Sequence, residues 1–330
     1  MNGGEKMPSD EGTHYIAGID EAGYSPLLGP LMITSVLFKT PQPEEPLWDS
    51  LRESVSRRAC RSGRVQINDS KKVFTPAAGL GRLERGVLAA LAASGIARPE
   101  RFDELLKTIC HHFGDPVAAQ PWYENLSMPL PLVAEAEDIS KAAADLAATM
   151  SKKGIALLDI CSNPVHPPRL NRLIQQRGNK ATVLFEETVV LIRRLLHLYG
   201  RKGIRIIADK QGMRHYYEPL LCQAFPMSRV DIVSESESLS EYRIDAGEGR
   251  MELCFAEKAD VHHLPVALAS MVSKYVREVF MSAFNGYWQE RVPGLKPTSG
   301  YPKDARRFLA EVRAAWESAG INRGEVIRSR

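Results

Sequence analysis

The chain has 330 residues, of which 44% are apolar and 25% charged, and a formal net charge of +3. That is ordinary globular composition, with room for one large domain or a domain plus an insertion. The mild charge permits an anionic partner without demanding one, because acidic site residues can hide part of a basic face in the total. No apolar run approaches the roughly 20 residues of a membrane span, and the opening MNGGEKMPSDEG lacks the apolar core of a secretory signal. No membrane partner is therefore expected. Five widely separated cysteines (Cys60, Cys110, Cys161, Cys222, Cys254) with no CxxC argue against a zinc site or a disulfide frame. They point to reduced thiols and a cytoplasmic location.

Residues 1–13, rich in glycine, serine and charge, read as a disordered leader. The stretch that follows, HYIAGIDEAGYSPLLGP, starts as an apolar strand (Tyr15 to Ile19) and reaches the adjacent acids Asp20 and Glu21. Gly23, Ser25, Pro26, Gly29 and Pro30 then mark a bend before a second apolar strand, Leu31 to Phe38. Side chains alternate along a strand, so Asp20 and Glu21 share a direction only if the chain breaks at that bend. Carboxylates at the end of a buried strand are costly without a compensating cation. For oxygen-only ligands the usual compensator is a hard divalent metal such as Mg²⁺. The alternative is a strand end whose acids are simply solvated, against which the glycines speak by allowing close approach of a ligand.

Further along, Thr40 to Pro46 and Arg57 to Arg64 read as loops, the latter basic through Arg57, Arg58, Arg61 and Arg64. Asp69-Ser70-Lys71-Lys72 precedes a helical stretch from Ala77 to Ala93, with Thr75 and Pro76 as cap and first-turn proline. An amphipathic piece (Phe102 to Phe113), a proline-rich link (Pro121 to Pro131) and an alanine-rich helix (Glu135 to Met150) come next. His111 and His112 are adjacent on a helix and face apart, which speaks against ligand duty for both. A strand is expected over Ile155 to Ile160, a turn over 162–171, and an apolar helix from Thr182 to Tyr199. Ile204, Ile206 and Ile207 make a β-branched strand with Asp209 at its C-terminal end. That end of an open α/β sheet is where ligands collect.

Arg229 to Ser234 gives another strand; Tyr242 to Ile244 and Met251 to Phe255, separated by DAGEG, read as an added hairpin over about 238–256. Glu235 and Glu237 raise a rival-ligand question, though acidic-serine alternation is commonly exposed loop. Asp260 precedes a helix from about Pro265 to Phe284, on which Ser270, Lys274 and Arg277 share one face while Val266, Met271 and Val279 turn to the core. A basic face beside a carboxylate suits phosphate recognition. The last part, from about 285 to 330, carries SGYP and an amphipathic helix (Asp304 to Ala319), with a basic patch of Lys296, Lys303, Arg306, Arg307 and Arg313.

Five motifs in order resemble the ribonuclease HII family. GIDEAGxxPLxGP is similar to the family's GIDEAGRGPLAGP, and Asp69 to Lys72 to its DSKK segment. IRIIAD resembles its strand ending in a metal-binding Asp. Asp260 with ALASMVSK resembles its D…AASIxAK helix, with the same 14-residue step from Asp260 to Lys274. SGYP resembles a turn of archaeal and eukaryotic relatives. The resemblance implies an α/β, ribonuclease H-like fold, a mixed central sheet flanked by helices, over residues 14–330. Asp20 and Asp209 lie 189 residues apart, far more than the family's usual step. A mainly helical insertion at about 97–153 is therefore expected, to lid a groove, bind a partner or extend the core. The C-terminal part, 285–330, is a helical extension.

The resemblance also implies a metal-dependent endonuclease that hydrolyses the RNA strand of RNA/DNA hybrids or RNA-containing duplex DNA, leaving 5′-phosphate and 3′-hydroxyl ends. Asp20, Glu21, Asp209 and Asp260 would be the catalytic and metal-binding acids, holding two Mg²⁺ or Mn²⁺ ions for an in-line displacement. Gly23, Tyr24, Ser25, Lys71, Ser270, Lys274 and Tyr301 would bind substrate, Lys71 near its backbone and Tyr301 against a sugar. Only the 2′-hydroxyl separates RNA from DNA, and the family reads it with a Gly-Arg-Gly turn. Here Gly23-Tyr24-Ser25 stands in its place without the charged fork, so incision at a single embedded ribonucleotide is expected to be weakened or lost. A nucleic-acid partner and a monomer are expected. The alternatives are a nucleic-acid-binding protein of the same fold with weak or lost catalysis, or a different nuclease of the superfamily such as a junction resolvase.

Overall fold

The computed structural model describes residues 12–60, 62–75, 77–110, 120–212, 214–247 and 249–329. Most of the expected leader, Arg61, Pro76, His111 and His112 lie outside the described residues. The centre is a seven-stranded mixed sheet of β1 (His14–Ala22), β2 (Leu31–Thr40), β5 (Ala156–Val165), β6 (Ile204–Asp209), β7 (Arg229–Glu235), β8 (Leu239–Ala246) and β9 (Gly249–Ala256), in the order β5-β2-β1-β6-β9-β8-β7. Strands β1, β6 and β9 run parallel, and β2 is antiparallel to both of its neighbours, β1 and β5. Two short strands, β3 (Val55–Ser56) and β4 (Val65–Gln66), pair separately. Parallel strands covered on both faces read as near-continuous apolar runs, which is why IRIIAD was legible.

Helices α1 (Leu47–Ser50), α2 (Ser70–Val73), α3 (Gly81–Ala93), α4 (Phe102–Ile109) and α5 (Ala136–Lys152) precede β5. Between β5 and β7 lie α6 (Pro167–Arg177), α7 (Lys180–Tyr199) and α8 (Glu218–Ala224). After β9 come α9 (Ala259–His262), α10 (Leu264–Arg291), α11 (Pro302–Glu311), α12 (Arg313–Ser318) and α13 (Arg323–Val326). Helix α7 covers one face, where Leu184, Val189 and Ile192 pack with Ile19, Ile33 and Ile206. Helix α10 covers the other, where Leu268, Met271, Val276 and Phe280 pack with Val36 and Phe38. Gly18 lets α10 lie flush on β1: a Cβ there would come within 2.1 Å of the Val266 nitrogen. That contact sets the N-terminal end of α10 against the sheet.

The 97–153 segment belongs to this second core. Phe102, Leu105, Leu106 and Ile109 of α4 and Ile139, Ala142 and Leu146 of α5 are buried in the cluster that holds α10. Phe102 meets Phe280 edge-on at 4.9 Å. The buried Glu84 carboxylate accepts hydrogen bonds from the amides of Leu132, Val133 and Ala134 at 2.6–2.8 Å and from the Tyr275 hydroxyl at 2.9 Å. One side chain thus ties α3, the loop before α5 and α10 together.

Several elements differ from the sequence expectation. Strand β5 runs to Val165 and α6 follows directly, so 162–171 is not a turn. Pro164 is tolerated because β5 is an edge strand, where a missing N–H costs no ladder bond. Strands β8 and β9 do form an antiparallel hairpin, but β9 also pairs with β6 and so lies inside the main sheet. Asp69, not Thr75, caps a helix: its side chain accepts from the Lys71 amide at the start of α2, while α3 begins only at Gly81. The expected single helix from Asp304 to Ala319 breaks at Val312, which is buried and leaves helical geometry (φ −88°, ψ 0°). The C-terminal basic patch is partly neutralised, with Arg307 paired to Asp304 and Glu311 and Arg313 to Glu317.

Candidate active site

The last parallel pair between β1 and β6 is Ile19 with Ala208. Asp20 and Asp209 are the next residues on each strand, and adjacent parallel strands in register send such side chains to the same side. Strand β1 stays paired with β2 as far as Ala22, so no backbone break turns Glu21 beside Asp20. The two acids nevertheless feel each other, and Asp209, electrostatically. Asp209 accepts a 2.9 Å hydrogen bond from the Ala259 amide, which draws the start of α9, and with it Asp260, to the same strand end.

All four acids are harder to ionise than an ordinary carboxylic acid. Burial is the largest cause in each case. Asp20 is raised well above its usual range by burial and by the charges of Glu21 and Asp209. Glu21 is raised to about 7 by burial and Asp209, opposed by Lys71. Asp209 is raised by burial, opposed by the Ala259 amide and Lys71. Asp260 is raised to about 6 by burial, then by Asp69 and Asp209.

Lys71 is the cation common to Glu21, Asp209 and Asp260. Ser270 is buried, with its hydroxyl 3.0 Å from that of Ser70, and hydrogen-bonds Asp20. Ser273 donates within 3.1 Å to the Asp20 carbonyl. Asp69 is a fifth carboxylate near the site, one of the groups that make Asp260 harder to ionise. The sequence reading took the DSKK segment for its lysine and missed this acid; the motif itself was the available signal.

The donor set fits a hard divalent ion in chemistry. It offers carboxylate oxygens, and burial and mutual repulsion oppose their ionisation, which a cation would reverse. It is not pre-assembled: among the described residues no three Asp, Glu, His or Cys side chains stand together as ready metal ligands. Nor do the acids line the cavity of about 610 Å³ that lies at the opposite end of the sheet beside His14, Lys202, Arg205 and Arg243. They sit at the C-terminal ends of β1 and β6 and at the start of α9.

Beside the acids the bend is held by side chains from distant parts of the chain. Gly23 has φ +85°, and a Cβ there would lie 2.5 Å from Arg277 Nε, so both backbone and space require glycine. Arg277 Nη2 donates to the carbonyls of Leu28 and Ser299, both at 3.1 Å, and the Leu27 amide donates to the Gly300 carbonyl at 2.8 Å. The Gly23–Ser25 bend and the SGYP turn therefore form one unit. Tyr24 is partly buried, with Lys180 Nζ 4.8 Å from its ring centroid, while Ser25 and Tyr301 are exposed.

Two members of the expected basic face have partners within the protein. Arg277 is buried and spent on carbonyls. Lys274 is paired with Glu278 at 2.6 Å and lies 4.7 Å from the centre of the Phe74 ring. Helical spacing gave their common face correctly, but that face packs against the turns. Glu235 bonds the Tyr242 hydroxyl and is not among the groups acting on the acids.

No protein-family model and no curated protein sequence matches the chain. Among solved structures it is similar to ribonuclease HII of Archaeoglobus fulgidus, from a complex with PCNA, at 17% identity and a TM-score of 0.45, covering 96% of this chain and 94% of that one. Ribonuclease H2 of Pyrococcus horikoshii is similar at 15% identity and 0.43, covering 94% and 92%. Bst-RNase HIII, in complex with Mn²⁺, is similar at 15% identity and 0.40, covering 96% of this chain and 66% of that one. These are ribonucleases H, and the first two carry the family name that the five sequence motifs suggested.

Proposed function

We propose that the protein is a ribonuclease H-type phosphodiester hydrolase, a metal-dependent endonuclease acting on the RNA strand of RNA/DNA hybrids or RNA-containing duplex DNA. The observation that carries this reading is the placement of Asp20 and Asp209 side by side at the ends of the paired strands β1 and β6, with Asp260 drawn in through the Asp209–Ala259 hydrogen bond and Glu21, Asp209 and Asp260 sharing one lysine, Lys71. Such a group is expensive to keep unless a function requires it. Divalent ions bound there would lower the pKa of an attacking water and stabilise the leaving alkoxide. The acids would hold them, with Asp69 close enough to raise the pKa of Asp260. Ser270 and the Glu21 amide, which donates to Asp20 Oδ1 at 2.8 Å, fix the Asp20 carboxylate. On this reading Lys71 would meet a scissile-strand phosphate, and Tyr24, Ser25 and Tyr301 would line the approach to a ribose.

A second reading, nucleic-acid binding with weak catalysis, draws on the absence of a ready ligand cluster among the described residues and on the turn's missing arginine. Labelled RNA/DNA hybrid, DNA with one ribonucleotide, and plain DNA, each tested with Mg²⁺ and Mn²⁺, separate the two. The nuclease reading expects cleavage of the hybrid, weaker or no incision at the single ribonucleotide, and none of plain DNA. Binding of the hybrid with no cleavage in either metal selects the second reading.

A further inference from the structure

The missing arginine of the Gly23-Tyr24-Ser25 turn has a counterpart beneath it, contributed by the far end of the chain. Arg328 is 2% exposed. Its Nε donates to the Gly29 carbonyl at 2.6 Å, and its Nη1 donates to the carbonyls of Gly23 and Pro26, the latter at 3.3 Å. Its own amide donates to the Leu27 carbonyl at 2.9 Å. One guanidinium therefore grips both flanks of the turn. Its Nη2 is buried without a hydrogen-bond partner, and among the described residues no carboxylate is paired with it. The charged group acting most strongly on it is another cation, Arg277. A buried cation is normally paired, so this one puts an uncompensated positive charge directly behind the turn.

Peptide geometry gives that charge a direction. In a trans peptide the C=O and N–H point to opposite sides. With the Gly23 carbonyl drawn inward to Arg328, the Tyr24 N–H of the same peptide is turned away from it. A cation on the carbonyl strengthens the N–H as a donor. We propose that Arg328 is a positioning residue for the bound nucleic-acid strand: it holds the turn so that the Tyr24 amide meets a phosphate or 2′-hydroxyl oxygen, and it supplies from beneath the charge that the surface of the turn lacks. The proposal rests on the nucleic-acid reading of the site. It assigns a role to the C-terminal segment that the sequence motifs do not touch.

The test compares full-length wild type, Arg328→Lys and Arg328→Gln, with thermal melting to establish folding. Binding of a labelled RNA/DNA hybrid is measured over a salt series, and cleavage is measured at steady state. Arg328→Gln is expected to weaken binding and raise KM about tenfold, the scale of one charge-assisted contact, with a smaller fall in kcat and a shallower salt dependence. Arg328→Lys, which keeps the charge, is expected to recover most of the loss. A folded Arg328→Gln that binds like wild type overturns the proposal. So does a lysine variant no better than glutamine, which would make Arg328 a structural clamp only, and so does failure of both variants to fold. Binding and cleavage are read separately, so a wild type that binds hybrid without cutting it sinks the nuclease reading and leaves the Arg328 comparison intact. A wild type that does neither overturns both.

Discussion

Glu84 and Asp20 are both buried carboxylates on the α10 side of the sheet, and their surroundings could hardly differ more. Glu84 accepts from three backbone amides and a tyrosine hydroxyl. Asp20 is met by Glu21 and Asp209, whose charges oppose its own. The first arrangement satisfies a charge and the second frustrates it. Burial alone therefore does not mark a functional acid; what the neighbours do to its ionisation does.

The comparison is broken most readily at the strand ends. Asp20→Asn and Asp209→Asn are each expected to lower hybrid cleavage by about a thousandfold or more, since loss of a metal-holding carboxylate removes several kcal/mol of transition-state stabilisation. The same variants are expected to melt no lower than wild type in the absence of divalent ions, because each removes a repelled charge. Glu84→Ala should do the reverse. It strands three amides and a hydroxyl, so a loss of about 3 kcal/mol or more is expected in denaturant unfolding, while the folded fraction still cleaves.

A third buried group sharpens the contrast through pH. His166 is fully buried between the rings of Tyr123 and Phe280, and burial, reinforced by Arg328 and Arg169, lowers its pKa from 6.5 to about 3. The unfolded chain then binds a proton that the folded one refuses. Its contribution is fully present above pH 6.5 and is lost as pH falls from there toward 3. Read as the difference between wild type and His166→Phe, which leaves the acids' opposing contribution in both proteins, unfolding free energy is expected to drop through that window by the order of a few kcal/mol. The smallest effect belongs to the surface: Arg307→Ala, which removes partly exposed pairs to Asp304 and Glu311, should cost no more than about 1 kcal/mol.

Much of the acid centre was legible because its residues sit at the ends of patterned elements. The strands before Asp20 and Asp209 announce themselves by β-branched and apolar runs, and Asp260 by its fixed step to Lys274. Asp69 was missed because an Asp before Ser-Lys-Lys reads first as a helix cap, which it also is. Lys274 and Arg277 do share a face, but periodicity fixes a shared side and not what packs on it, so neither the burial of Arg277 nor the pairing of Lys274 with Glu278 could be read from spacing. Arg328 carried no signal at all. Its contacts span about three hundred residues of sequence, and nothing local in EVIRSR distinguishes a buried guanidinium from an exposed one. The mixed sheet was implied as a whole, yet β5 ran past its expected end because Pro164 looks like a turn until the strand is known to be an edge.

On the proposed reading, hydrolysis of an RNA strand depends on the carboxylates at the ends of β1 and β6. The most direct test is a Mg²⁺ and Mn²⁺ titration of RNA/DNA hybrid cleavage by wild type and Asp20→Asn side by side. Cutting of the RNA strand that rises with metal in wild type and is absent from a folded Asp20→Asn is the predicted result. A folded Asp20→Asn that cuts as fast as wild type would contradict it.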